Sequence, residues 1–318
     1  MALLIPAVHH AAELGRIRRT ATGIRVADDG RDLERIRPGV YAHRQDWAAA
    51  TPEGRVIARA HALGLISDDA VFSHETAAAL HGLPLFRPDR TRVHLTVAQA
   101  RPGSAVGTIR HRGSVPEEEI VEIRGLRCTT LERTVADVAR TAGFESAVVV
   151  ADSALRARCV AGPATYDEDA ATGIRDAAHG IAQRFAHGRR RADRVLAFAD
   201  GRAQLPGESI SRIRLAELGF RSIRLQAEVP GPHGSYFVDF ALDDPAVMAF
   251  GEFDGAVKYA DADMLAGRSS AEVFDEEKQR EDWIRGATQR RFARWGWGHI
   301  ETAPLLGRRL AAFGIRPA

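Results

Sequence analysis

The stretch Val-Met-Ala-Phe-Gly-Glu-Phe, residues 247–253, most constrains what this chain can fold into. It is a continuous apolar strand of the kind that fills a sheet centre covered on both faces. Such a strand needs partners, and the flanking sequence offers them. Leu225–Val229 and Tyr236–Leu242 read as strands on either side of a Pro-Gly-Pro-His-Gly turn. Ser209–Leu218 reads as a helix with apolar residues at 210, 213, 215 and 218, and Glu272–Trp295 as a long charged helix. From Glu208 onward the order is helix, three strands, helix, strand. A boundary near Gly201 and Pro206 sets this off as an αβββαβ domain over residues 204–318.

Carboxylates interrupt the apolar pattern. Asp239 lies in Tyr-Phe-Val-Asp-Phe and Glu252 ends the apolar strand. A buried carboxylate is costly unless it is paired or bound to a metal. Two at the ends of adjacent core strands make a site for a divalent cation, and hard oxygen donors suit Mg²⁺ or Mn²⁺. Glu208 opens a helix that can reach the same place. Asp254 follows Glu252 by two residues, and such residues share a strand face. The competing reading pairs Asp239 and Glu252 with Arg212 or Arg214. Of 44 basic residues only two are lysines, Lys258 and Lys278, and both fall in this region. Lysine can carry a tuned pKa where arginine cannot give up its proton.

The rest of the chain divides into three parts. Residues 1–50 read as a short helix, Ala7–Arg18, a turn at Asp28-Asp29-Gly30, and a basic ribbon from Leu33 to Ala42 turned by Pro38-Gly39. That is the outline of a winged helix. Residues 51–160 form an α+β module. Its helices cover Pro52–Leu65 (N-cap Thr51), Ser73–Gly82, Thr130–Ala139 and Glu145–Arg158. Its strands are Val93–Val97 and Gly107–Arg112, with a hairpin of Ile120–Ile123 and Leu126–Thr129. Residues 161–203, with Arg189-Arg190-Arg191, read as an exposed helical linker. The fold class expected is therefore α/β, α+β overall.

His74 and His81 are seven apart on one helix face; without a third ligand they read as packing or capping residues. Cys128 reads as a buried small residue. Trp283, Trp295 and Trp297 read as core-closing side chains. The net charge of +2 and pI near 8.7 permit nucleic acid without requiring it. Arg16, Arg18, Arg19, Arg35 and Arg37 are candidates for phosphate contacts. Two cysteines without a C-x-x-C spacing fit a reducing compartment and no zinc motif. No apolar run approaches the ~20 residues of a membrane span and no signal peptide is legible, so a cytoplasmic location is expected.

Residues 205–300 resemble the PD-(D/E)xK endonuclease superfamily, and most its branch related to the very-short-patch repair endonuclease. The resemblance rests on Pro206-Gly207-Glu208-Ser209, Gln226, Val238-Asp239-Phe240, Glu252-Phe253-Asp254-Gly255 and Glu277-Lys278-Gln279-Arg280-Glu281-Asp282. It implies a restriction-endonuclease-like fold that hydrolyses phosphodiesters with Mg²⁺. Asp239, Glu252 and Asp254 would be metal ligands, Glu208 the helix acid, and Lys258 or Lys278 the charge-stabilising lysine. Asp254 stands where many members carry that lysine. Residues 1–160 resemble the AbiEi-like antitoxins of type IV toxin–antitoxin systems. The matching residues are Arg37-Pro38-Gly39-Val40-Tyr41, Ser73-His74-Glu75-Thr76, Leu80-His81-Gly82, Val93–Val97 and Cys128–Thr134. That resemblance implies a DNA-binding winged helix and a cognate toxin as partner. The two together imply a DNA-acting nuclease or, alternatively, a non-catalytic regulator or antitoxin that keeps the nuclease fold as a scaffold.

Overall fold

A computed structural model describes residues 3–11, 17–20, 23–26, 32–67, 70–98, 103–162, 165–232, 234–245, 247–255 and 270–317. The chain is mixed α/β, α+β overall, and separates into two units. The first is Met1–Ala154 with Thr172–Ala199, and the second is Leu155–Ala171 with Asp200–Ala318.

The first unit begins with β1 (His9–His10), β2 (Ile17–Thr20), β3 (Gly23–Val26), β4 (Leu33–Arg37) and β5 (Val40–His43). The helix expected over Ala7–Arg18 is absent from the described residues. His9 and His10 pair with Tyr41 and Val40, and Ile17–Thr20 pairs antiparallel with Gly23–Val26. The β-branched Ile17, Thr20, Ile24 and Val26 favour extended backbone. The expected ribbon is present as β4 and β5, turned at Gly39 with φ +80°.

Next come α1 (Arg44–Ala49), α2 (Pro52–Gly64), β6 (Val71–Phe72) and α3 (His74–Leu80). Thr51 caps α2 by accepting from the Gly54 amide at 3.1 Å. β7 (Val93–Val97), β8 (Gly103–Ala105), β9 (Thr108–Arg112), β10 (Ile120–Ile123) and β11 (Leu126–Thr129) complete a sheet of order β10-β11-β6-β7-β9-β8. The β10–β11 turn holds Arg124 and Gly125 at φ +55° and +73°, as a tight two-residue hairpin requires. α4 (Leu131–Thr141) and α5 (Phe144–Cys159) follow. Then come β12 (Val160–Gly162), β13 (Thr165–Tyr166), α6 (Glu168–Gln183) and α7 (Arg189–Phe198). The stretch 161–203 is thus largely helical. Its Ala178, Ala182, Ala192 and Val195 are buried, so Thr172–Ala199 belongs to the first unit's core.

The main part of the second unit runs α8 (Pro206–Leu218), β14 (Ile223–Gly231), β15 (Gly234–Asp244), β16 (Val247–Phe253), α9 (Ser270–Thr288), β17 (Arg291–Trp295) and α10 (Ala303–Ala311). The sheet order is β14-β15-β16-β17; the first three strands are antiparallel and β17 is parallel to β16. The long helix expected to reach Trp295 stops at Thr288. Gln289 takes a left-handed φ of +55°, and Arg291–Trp295 becomes a strand that buries Phe292, Ala293 and Trp295. Of the three tryptophans only Trp295 closes the core, with its indole N–H on Ser211 Oγ at 2.8 Å. Trp283 and Trp297 are 44% and 42% exposed. Two glycines permit close approaches. A Cβ on Gly251 would lie 2.1 Å from the Trp295 ring, and one on Gly207 2.0 Å from the Phe253 ring. The second approach brings the start of α8 to the end of β16.

Candidate functional site

Three of the expected site residues gather there. Glu208, in the first turn of α8, is buried and accepts from the Gln204 amide at 2.8 Å and from Gln226 Nε2 at 3.3 Å. Asp239 Oδ2 accepts from the Phe253 amide at 2.8 Å, and its Oδ1 lies 3.5 Å from the same Gln226 amide nitrogen. Gln226 stands across from Asp239 between the register pairs Leu225↔Phe240 and Ala227↔Val238. Its backbone is left-handed, with φ +47°.

Glu252 lies beside them at the end of β16, buried, with Arg280 at 2.6 Å and Arg294 at 3.0 Å. Burial pushes its carboxyl above the usual range, and the Asp239 charge adds to this; the two guanidiniums offset only part. The expected partners Arg212 and Arg214 are therefore replaced by Arg280 and Arg294. Arg214 instead donates to the Ile300 carbonyl at 3.0 Å. Arg294 also reaches Glu277 at 2.7 Å, Glu281 at 3.0 Å and Asp254 at 4.0 Å. Glu252 and Asp254 thus share one guanidinium, which fits their expected common side. Lys278 is exposed on α9, and Lys258 lies outside the described residues. A cavity of about 460 Å³ opens beside Gln204 and Gln226 and is also lined by Arg156, Arg202, Arg224 and Glu228. Arg294 carried no signal in the sequence, because it sits in what reads as a helix and is in fact strand β17.

The arginines expected to meet phosphate are distributed differently. Arg16 lies outside the described residues, and Arg18 and Arg19 fall on β2. Arg35 is exposed on β4. Arg37 is a structural tie: it donates to the Gly107 carbonyl at 2.8 Å and to Thr108 Oγ1 at 2.7 Å. Desolvation, and then Arg59, lower its guanidinium pKa.

His81 caps the end of α3 and His74 is buried at its start, in keeping with the capping and packing roles expected, but their surroundings differ. His81 is bonded to the Thr129 carbonyl at 2.8 Å, whereas His74 meets His94 and His111. Among the described residues, this is the trio of His, Cys, Asp or Glu whose ligand atoms come within 4.8 Å of one another. Burial, and then neighbouring imidazoles, hold His74 well below the ordinary histidine range and His94 down to about 4. Burial and Arg140 hold His111 down to about 4. Cys128 is buried and unreactive, its thiol pushed up to about 12 by desolvation.

No family model matches the chain, and no curated protein matches it. Among the described residues, no helix is long and apolar enough to cross a membrane.

Proposed function

We propose that the chain acts on DNA and that its second unit is a restriction-endonuclease-like domain that hydrolyses phosphodiesters with Mg²⁺ or Mn²⁺. The carrying observation is the Gln226 amide, which spans Glu208 of α8 and Asp239 of β15 from a left-handed backbone. A non-glycine residue in that region costs about 1–3 kcal/mol and tends to persist at functional sites. The donors fit the cation: they are all oxygens, and Glu252 stays destabilised although two arginines face it. Asp239, Glu252 and Asp254 would hold the ion. A bound divalent cation supplies Lewis-acid polarisation of the phosphodiester and a more acidic water.

The chain's own residues do the positioning. The Phe253 amide orients Asp239, and Gln226 fixes Glu208 against it. Arg280 and Arg294 hold Glu252 and offer charged N–H groups to a phosphate, a task the resemblance gives to a lysine. Arg18 and Arg19 of β2 and Arg35 of the basic ribbon would bind backbone phosphates, with salt-dependent affinity. The test incubates the full chain with labelled single-stranded, double-stranded and mismatched DNA, with Mg²⁺, Mn²⁺ or EDTA. Asp239→Asn keeps an acceptor for the Phe253 amide. We expect metal-dependent cutting that falls by at least the roughly 100-fold seen for lost support groups of metal sites. Cutting that persists in EDTA or in the variant overturns the site.

A second reading is a non-catalytic DNA-binding regulator or antitoxin, with a cognate toxin as partner. One observation favours it: Arg280 and Arg294 already occupy Glu252, and Asp254 stands in the lysine's place. It predicts tight binding to one operator-like sequence by wild type and Asp239→Asn alike, with no cutting of any substrate.

A further inference from the structure

We propose that His74, His94 and His111 form a site for one transition-metal cation of the Zn²⁺, Co²⁺ or Ni²⁺ class, separate from the carboxylate site. The three side chains come from different elements of the first unit: His74 from the start of α3, His94 from β7 and His111 from β9. Strands β7 and β9 are parallel neighbours in the register Thr96↔His111. His94 lies two residues from Thr96, so it shares a sheet face with His111. The Ser73 amide donates to the His94 carbonyl at 3.1 Å, which pins the start of α3 against β7.

The donor inventory supports a ligand. His94 Nδ1 and His111 Nε2 are 3.0 Å apart and share one hydrogen bond. His74 Nδ1 is 2.9 Å from Ser73 Oγ, which leaves Nε2 as its remaining donor or acceptor. That Nε2 is fully buried and has no hydrogen-bond partner among the described residues. His74 as a whole is 3% exposed. An unsatisfied buried polar atom costs about 1–3 kcal/mol. His74 also carries a left-handed backbone, φ +54°. A strained residue that presents an orphaned ring nitrogen to two more imidazoles is a built feature, and a metal satisfies all of it at once.

The donors decide the metal class. Three imidazoles and no carboxylate select Zn²⁺ and its neighbours over Mg²⁺ or Ca²⁺. Zinc sits about 2.0–2.1 Å from imidazole nitrogen. The His74 and His111 rings are stacked at 3.5 Å, with 13° between their planes, so binding requires them to turn out of that stack. Three protein ligands leave a fourth position open.

The test uses the full chain stripped with chelator. Calorimetric titration with Zn²⁺ and Co²⁺ should give one ion per chain, undisturbed by millimolar Mg²⁺. His94→Gln and His111→Gln should each weaken that binding by about 100-fold, with circular dichroism reading the fold. X-ray absorption of the Co²⁺-loaded wild type should show three imidazoles around the ion. This last measurement needs no variant, so a misfolded mutant does not decide the matter. Zero stoichiometry, unchanged affinity in both variants, or fewer than two imidazoles at the metal overturns the proposal. Because the site contains none of the DNA-cutting residues, loss of cleavage activity and loss of this site are read independently.

Discussion

Glu119 in the first unit and Glu252 in the second are each gripped by two arginines, and their side chains are almost equally shielded, at 11% and 10% exposed. Arg133 at 2.6 Å and Arg184 hold Glu119; Arg280 at 2.6 Å and Arg294 at 3.0 Å hold Glu252. Their carboxyls nevertheless move in opposite directions. Burial raises both, but at Glu119 the bonds from Arg184 and Arg133 win and the carboxyl falls below its ordinary value. At Glu252 burial wins, Asp239 pushes the same way, and the carboxyl rises. The number of partners is therefore not what separates a structural joint from a candidate site. At Glu252 burial and the Asp239 charge together outweigh its two arginines, whereas at Glu119 the arginines outweigh burial.

The largest expected effect tests the structural side of that comparison. Arg133 is buried and joins Glu119 to Asp137, whose Oδ2 it meets at 2.8 Å one helical turn along α4. Arg133→Ala removes one of the two arginines from each of two shielded carboxylates, leaving Arg184 on Glu119 and Arg140 on Asp137, and should cost about 3 kcal/mol in urea unfolding, the low end for a broken buried pair. A loss below about 1 kcal/mol would mean that Glu119 is not a structural joint. On the other side, Gly251→Ala forces a methyl to within 2.1 Å of the Trp295 ring, one residue from Glu252. It should cost about 1–3 kcal/mol by overpacking and should also disturb the Glu252–Arg294 pair. If stability falls while the ion pair and any cleavage are untouched, then Glu252 is positioned by something other than the β16–β17 packing.

Much of the second unit was legible because its signals are local and periodic. The apolar run 247–253, the Pro-Gly turn and the amphipathic start of α8 gave element order and strand limits to within a few residues. What failed was the step from helix to strand at Gln289. The charge-rich Arg290-Arg291-Phe292-Ala293-Arg294 fits a helix surface as well as a strand, and only pairing with β16 decides it. Arg294 was missed for that reason. In the first unit, the helix expected over Ala7–Arg18 meets strands at His9–His10 and Ile17–Thr20, because pairing with Tyr41, Val40 and β3 decides the backbone there. The histidine trio was invisible because His94 and His111 come from strands that only the parallel β7–β9 pairing brings beside α3. Asp239 and Glu252 were legible because each breaks an otherwise apolar strand, and Glu208 because it opens a helix after Pro206-Gly207.

Neutral isosteres sharpen the contrast at smaller cost. In chelator near neutral pH, Glu119→Gln should cost about 1–2 kcal/mol, as loss of a charge-assisted hydrogen bond does. Glu252→Gln should cost clearly less, since it also removes a charge that burial disfavours. The pH dependence of Glu119 has a fixed sign. Its folded carboxyl lies below the ordinary 4.5, so its contribution is fully present above 4.5 and is lost as pH falls through the folded value. Glu119→Gln should therefore flatten the acid limb of a stability–pH curve. An acid limb unchanged in that variant would place the lowered carboxyl elsewhere and undo the contrast with Glu252.

The smallest effect provides the control. Asp89, in the loop before β7, accepts from the Thr91 amide at 2.9 Å, from Thr91 Oγ1 at 2.6 Å and from Arg92. Burial is the largest single influence on its carboxyl and raises it, but the Thr91 bonds and Arg92 together outweigh it and hold the group down to about 2, against an ordinary 3.8. A second carboxylate, Glu75, feels the charge of Asp89, yet Asp89 itself is held down by its donors. The contribution of Asp89 is present above pH 3.8 and is lost between 3.8 and about 2, a modest change because the half-buried side chain is still partly screened by solvent. An NMR titration should put its midpoint near 2, and clearly higher in a Thr91→Ala, Arg92→Gln double variant, which keeps only the Thr91 amide bond. If the wild-type midpoint already sits near 3.8, local hydrogen bonds do not outweigh burial even in the open loop. The same explanation would then fail at Glu119, and the opposite shifts of Glu119 and Glu252 would need a cause other than the balance between donors and crowding.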